Sequence, residues 1–270
     1  MISLKIVMLH DCAYVGATLS KWLQKMNVDV ELLPMRGLLS TLIKLRHIDC
    51  DLVHVHYARA PAWVAMFSGK RYIIHCHGDD IRHGYNYLTK LSLSKAALVI
   101  FATPDLSPYV QDSVYLPNPI DPEFFKPKRE INTVLKALYF KRETAHPKTR
   151  QNESEHIAAM ENTCQKSGVK LDILPKGSVK YSEMPNLLSR YDLFFDGWIL
   201  PIYSKTAFEA MSMSVPVIGY DDNIDDLSNI LLELKSNPAS NINRGRKIVE
   251  NHAAEKVSEK MLKLYLEILR

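Results

Sequence analysis

Short apolar runs of strand type alternate with stretches of three- and four-residue apolar spacing along most of the chain. Leu4–Leu9 predicts a buried strand, followed by a loop through Gly16 and an amphipathic helix over Ala17–Met26 carrying Leu19, Trp22 and Leu23. The same alternation predicts strands at Val28–Leu33, Asp51–Tyr57, Tyr72–Cys76, Ala97–Ala102 and Val114–Leu116, with helices at Leu38–Arg46 and Arg59–Ser68. Near-continuous apolar strands separated by helices imply a parallel sheet covered on both faces. The opening strand–loop–helix is the start of a doubly wound α/β sheet, but Gly16 stands alone, so no dinucleotide fingerprint is read from it.

Leu116–Phe125 is dense in proline and marks a boundary, because such segments have few helix or strand options. A second α/β series then begins. It predicts strands at Val134–Phe140, Leu171–Leu174 and Leu193–Phe195, and helices at Glu153–Lys166 and Ser182–Arg190. Lys205–Met213 is a further helix, stopped by Pro216 before a short apolar run at Val215, Val217 and Ile218. Ile224–Leu234, Asn241–Asn251 and Ala254–Leu269 finish the chain. In the last, Val257, Met261, Leu264, Tyr265 and Ile268 form one apolar face. The fold class expected is α/β, with two Rossmann-like parallel-sheet domains facing across a cleft: a first domain over 1–120 and a second over 121–250.

With 270 residues, 47% of them hydrophobic and 24% charged, the composition is that of a globular protein able to bury a real core. A net charge of +4 is too weak to argue for nucleic acid, yet it suits an anionic ligand or an anionic membrane face. The four cysteines show no C-x-x-C spacing and read as reduced thiols of a cytosolic protein. No apolar run reaches the length of a membrane span, and the N-terminus runs directly into a strand rather than a signal peptide.

Candidate chemistry concentrates in Pro201–Tyr220. Ser204 and Thr206 are both suited to cap the helix that follows, because a short hydroxyl takes an unpaired backbone N–H. The N-terminus of that helix, with the Tyr203–Thr206 loop, could hold an anion such as a phosphate. Glu209, one turn in, could accept hydrogen bonds from two neighbouring hydroxyls. The same features fit an ordinary helix–strand unit in which Glu209 is a surface charge. Elsewhere, His54 and His56 share one strand face, as do His75 and His77. If those strands are neighbours, three or four imidazoles meet, and a zinc site of a metal-dependent hydrolase is an alternative reading. Leu38, Leu39, Leu42, Ile43 and Leu45, with Arg36, Lys44 and Arg46, could form an apolar–basic surface helix for peripheral membrane contact, or simply core.

FEAMSMSVPVI resembles the donor-binding segment of retaining GT-B glycosyltransferases of the family 4 type. VYLPNPIDPEFFKP is similar to the interdomain segment of that family, YIIHCHGDDIR to its histidine–glycine strand end, and DLFFDGW to the strand before its donor loop. NHAAEKVSEKMLKLY resembles the family's closing helix, so the resemblance implies that 251–270 packs back toward the first domain. It also implies a nucleotide-diphosphate sugar donor, a glycan or lipid-linked acceptor, retention of configuration, and no metal or other cofactor. Glu209 would bind the ribose hydroxyls. Arg142 and Lys148, chosen from KRETAHPKTR, would hold the diphosphate, helped by Tyr203, Ser204, Lys205 and Thr206. Gly16 would let the first loop approach the donor phosphate. His77 would act on the sugar side as a catalytic residue, with Asp80 beside it capping the next helix and holding the loop. The family's first glutamate is replaced here by Pro201, and the glycine often found at position 204 is absent. These departures keep open a second class of function, a GT-B protein that binds a nucleotide or partner without transferring sugar. The expected location is the cytoplasm, at or near the inner face of the cell membrane.

Overall fold

A computed structural model describes residues 4–127, 134–141, 147–197, 200–223 and 226–270, with side-chain detail lacking for a few positions inside helices. The chain divides into two compact units, Met1–Pro119 with His252–Arg270, and Ile120–Asn251. Within the first unit β1 (Lys5–Leu9), β2 (Asp29–Leu33), β3 (Leu52–His56), β4 (Tyr72–Cys76), β5 (Leu98–Phe101) and β6 (Ser113–Tyr115) form one sheet. All pairings are parallel, in the order β2-β1-β3-β4-β5-β6. Both β3 and β4 are buried at every position, as a parallel sheet with two covered faces demands.

One face of this sheet packs Val7, Val53, Val55, Ile74 and Cys76 against α2 (Leu38–His47) and α3 (Ala60–Ser68). The other carries Ile6, Met8, Leu52 and Ile73 against α1 (Val15–Lys25) and α10 (Ala254–Leu269). Burying each such aliphatic side chain contributes about 1.5–3 kcal/mol. The apolar face of α10 is thus spent inside the first unit, through Val257, Met261 and Tyr265.

In the second unit β7 (Lys136–Lys141), β8 (Lys170–Pro175), β9 (Leu193–Phe195) and β10 (Val217–Ile218) form a parallel sheet in the order β10-β9-β7-β8. It is flanked by α5 (Pro147–Lys166), α6 (Met184–Leu188), α7 (Lys205–Ser212), α8 (Leu227–Ser236) and α9 (Pro238–Val249).

Several elements depart from the sequence expectation. A helix α4 (Tyr87–Lys95) was not predicted, because YLTKLSLSK alternates polar and apolar residues and offers no clean stripe. It is started by Asn86, whose side chain accepts the Thr89 N–H at 2.9 Å. Helix α1 begins two residues early, at Val15. The helix expected over Ser182–Arg190 is a 3-10 turn, Tyr181–Glu183, followed by the five-residue α6. The segment expected from Ile224 forms α8 from Leu227 to Ser236.

Candidate functional site

In the first unit the predicted residues gather at the carboxyl ends of β3 and β4. His77 follows β4 directly and is half-buried. Gly78 adopts φ +134°, a backbone conformation that favours glycine, and a Cβ there would stand 2.6 Å from the movable end of Arg82. Asp80 is fully buried. Its carboxylate accepts backbone N–H groups from Ala58 at 2.9 Å, His77 at 3.1 Å and Gly78 at 2.7 Å. It therefore staples two strand ends together. It does not cap a helix, since the next one belongs to Asn86, and its oxygens are already engaged by the backbone.

Burial lowers the His77 imidazole to about 4, against the raising influence of Asp80 and Asn118. Beneath it lies a block of imidazoles on one sheet face. His56 pairs with His75 across β3 and β4. His54 stacks on His56 at 4.3 Å between ring centroids, and His75 on His77 at 4.4 Å. His56 Nδ1 lies 3.2 Å from His77 Nε2, and His54 Nδ1 lies 2.6 Å from the Tyr265 hydroxyl of α10. Gly16, predicted to approach a phosphate, is buried against this block. A Cβ at Gly16 would stand 3.2 Å from both Cδ2 and Nε2 of His56, and its N–H donates to Asp11 Oδ1 at 2.9 Å.

In the second unit, Ser204 is the cap of α7. Its hydroxyl accepts the Ala207 N–H at 3.2 Å, while Thr206 sits inside the first turn. The Ser204 N–H donates to Asp196 Oδ2 at 2.6 Å, so a carboxylate from the end of β9 already lies at the start of this helix. Glu209 is 3% exposed, not a surface charge. Burial raises its pKa, opposed by Lys205 and by Tyr181. Lys205 Nζ makes a short ion pair with Glu209 Oε1 and lies 3.0 Å from the Tyr181 hydroxyl. The carboxylate expected to await two hydroxyls is therefore already held by the lysine one turn before it. Ser204, Thr206, Asp196, Gly197, Lys176 and Phe140 line a small cavity of about 40 Å³ at the carboxyl ends of β7 and β9. Ligands in open α/β sheets bind at such ends.

Tyr203 turns inward and is 5% exposed. Its hydroxyl bonds Asp221 closely and lies 3.3 Å from Arg244 Nη2, and burial raises its pKa strongly. Arg244 in turn pairs with Asp221 and, at 3.1 Å, with Asp222. Tyr203 is thus an anchor for the loop before α7. Arg244, Asp196 and Tyr181 were not read from the sequence; only the DLFFDGW match pointed near Asp196. Arg142 lies outside the described residues. Lys148 falls in the first turn of α5, where the backbone alone is described.

Two parallel α/β sheets with flanking helices, one in each unit, make this the GT-B fold found in glycosyltransferases. The chain is similar over nearly its whole length to AviGT4, a glycosyltransferase of avilamycin A biosynthesis, at 14% identity and a TM-score of 0.66, covering 98% of each chain. Sucrose-phosphate synthase from Thermosynechococcus elongatus matches at 13% identity and 0.65, covering 98% of this chain and 99% of that one. The catalytic domain of starch synthase IV from Arabidopsis thaliana, solved with ADP and acarbose, matches at 11% and 0.62, covering 99% and 98%. No family model and no curated protein sequence matches the chain.

Proposed function

We propose that this protein is a glycosyltransferase that moves a hexose from a nucleotide-diphosphate sugar to a glycan or lipid-linked acceptor with retention. The observation that carries the reading is Glu209. A carboxylate buried on the helix after β9, held between Lys205 and Tyr181, is costly to keep unless it has work to do. A ribose can replace part of that pairing, its two hydroxyls donating to the carboxylate as Lys205 swings toward the phosphates. Arg142 and Lys148 neutralise the leaving diphosphate together with the first turn of α7, so the transfer itself needs no metal. His77 acts on the sugar side, held in place through Asp80, and Gly16, in the first turn of α1, packs against His56 of the same unit.

The acceptor-side unit has a surface suited to an anionic membrane. Leu38, Leu39 and Ile43 of α2 and Phe67 of α3 are each at least half exposed, and Arg46 reaches the Phe67 carbonyl at 2.9 Å. Lys44 lies on the same helix and meets only Glu31, at 3.5 Å, among the described residues. Attachment there places the protein at the cytoplasmic face. No helix among the described residues is long and apolar enough to cross a membrane.

Pro201 and the Lys205–Glu209 pair favour one second reading, a GT-B protein that binds a nucleotide without turnover. Incubation with a panel of nucleotide sugars and acceptors separates the two. Release of nucleoside diphosphate with glycosylated product supports transfer. Nucleotide binding with no release across the panel supports the second reading.

A further inference from the structure

The histidine block beneath His77 is unexplained by sugar transfer. His54, His56 and His75 are all fully buried. Among the described residues, no hydrogen-bond partner reaches His54 Nε2, His56 Nε2 or either nitrogen of His75. Such buried polar atoms are rare, because each one left unpaired forfeits its hydration with nothing in return. One ring nitrogen from each of the three lies within 4.8 Å of the others.

The outer sides of the rings are arranged differently. His54 Nδ1 faces the Tyr265 hydroxyl and His56 Nδ1 faces His77 Nε2. The Leu116 carbonyl lies beside His75, outside hydrogen-bond geometry. His54 and His56 thus each have a hydroxyl or a ring nitrogen at one nitrogen and a bare nitrogen at the other, while both nitrogens of His75 are without a hydrogen-bond partner among the described residues. Metal-binding histidines are commonly built this way: the outer N–H donates to a neighbour, which fixes the tautomer and leaves the inner nitrogen to the ion. The backbone supplies the rest. Two histidines two apart on β3 and one directly across on β4 project from a single face, so the three rings lie side by side, with centroids 4.3 Å apart for His54–His56 and 5.5 Å for His54–His75 and His56–His75.

We propose that His54, His56 and His75 form a structural site for a divalent d-block cation of the zinc class. Three imidazole nitrogens suit zinc, cobalt, nickel or copper and not magnesium or calcium, which want oxygen. Burial keeps the rings in the neutral form that binds metal. Zinc–nitrogen bonds of about 2.0–2.1 Å require the nitrogens to draw closer, by rotation of the rings about their Cβ–Cγ bonds. A solvent molecule takes the fourth corner. With no exposed member among the three, the site offers a bulky substrate no approach, so its role is structural although its fourth ligand is solvent. Its effect is to lock α1, which touches His56 through Gly16, and α10, which touches His54 through Tyr265, onto the sheet.

The test unfolds the full-length protein in guanidinium chloride with chelator, then refolds it with Zn²⁺, with Co²⁺ or with neither. After desalting, metal content, the cobalt ligand-field spectrum and Tm are measured. The expected result is one ion per chain, a tetrahedral nitrogen-ligand cobalt band, and a higher Tm for the metal-refolded protein. His47→Gln, a change at an exposed histidine, keeps that uptake, and His75→Phe loses it. No retained metal in wild-type protein refolded to its native circular dichroism overturns the proposal. So does undiminished uptake in a folded His75→Phe protein. The wild-type arm decides alone if His75→Phe does not fold.

Discussion

At the residue scale, buried polar side chains carry the largest local costs. Asp80 accepts three backbone N–H groups in a fully buried position. Asp80→Ala leaves them unpaired and is expected to cost about 3 kcal/mol in urea unfolding, well beyond an ordinary surface change. Lys205→Ala strands the Glu209 carboxylate in a dry site, and a loss of about 3–5 kcal/mol is expected from the same measurement. Glu209→Gln is milder, because the amide still accepts a bond from Lys205. His252 donates to the Asn118 carbonyl at 3.0 Å, and burial lowers it to about 4. The unfolded chain, with an ordinary value of about 6.5, binds the proton first as pH falls. Stability therefore rises with pH between about 4 and 6.5, and this one group contributes up to about 3 kcal/mol of that rise. His252→Gln keeps the donor and removes the titration, so its stability profile is flatter through that window.

At the element scale, legibility followed the clarity of the apolar pattern. Strands buried on both faces, such as LVHVH and YIIHC, are apolar enough to stand out, and their positions were read to within a residue or two. Helix α4 was missed because its stability comes from the Asn86 cap and from contacts such as Trp63 Nε1 to Thr89 Oγ1 at 3.1 Å, which no local pattern encodes. The α7 start was legible, but which hydroxyl caps it was not: Ser204 and Thr206 carry the same chemistry, and tertiary contact of Ser204 with Asp196 chooses. Ser204→Ala should cost about 1 kcal/mol and leave α7 in place, seen as a lowered unfolding midpoint with unchanged helical circular dichroism. Glu209 was legible as a residue of interest. Its partner Lys205 lies one turn away on the same face, a spacing open to the eye, yet its burial came only with the fold.

At the scale of the whole molecule, the chain returns to its first unit after building the second, and α10 closes the core that α1 opens. The division between Pro119 and Ile120 falls inside the proline-dense segment. The Tyr203–Asp221–Arg244 network was not readable in the sequence, because it joins residues about forty positions apart through a fold no local signal describes. The account rests on the second unit holding a nucleoside diphosphate through Glu209. Isothermal titration of the full chain with UDP, GDP and ADP, on wild type and Glu209→Gln, tests this most directly. The account predicts saturable binding of one of them, weakened at least about tenfold, or about 1.4 kcal/mol, in the variant. No heat with any of the three, or equal affinity in the two folded proteins, would contradict it.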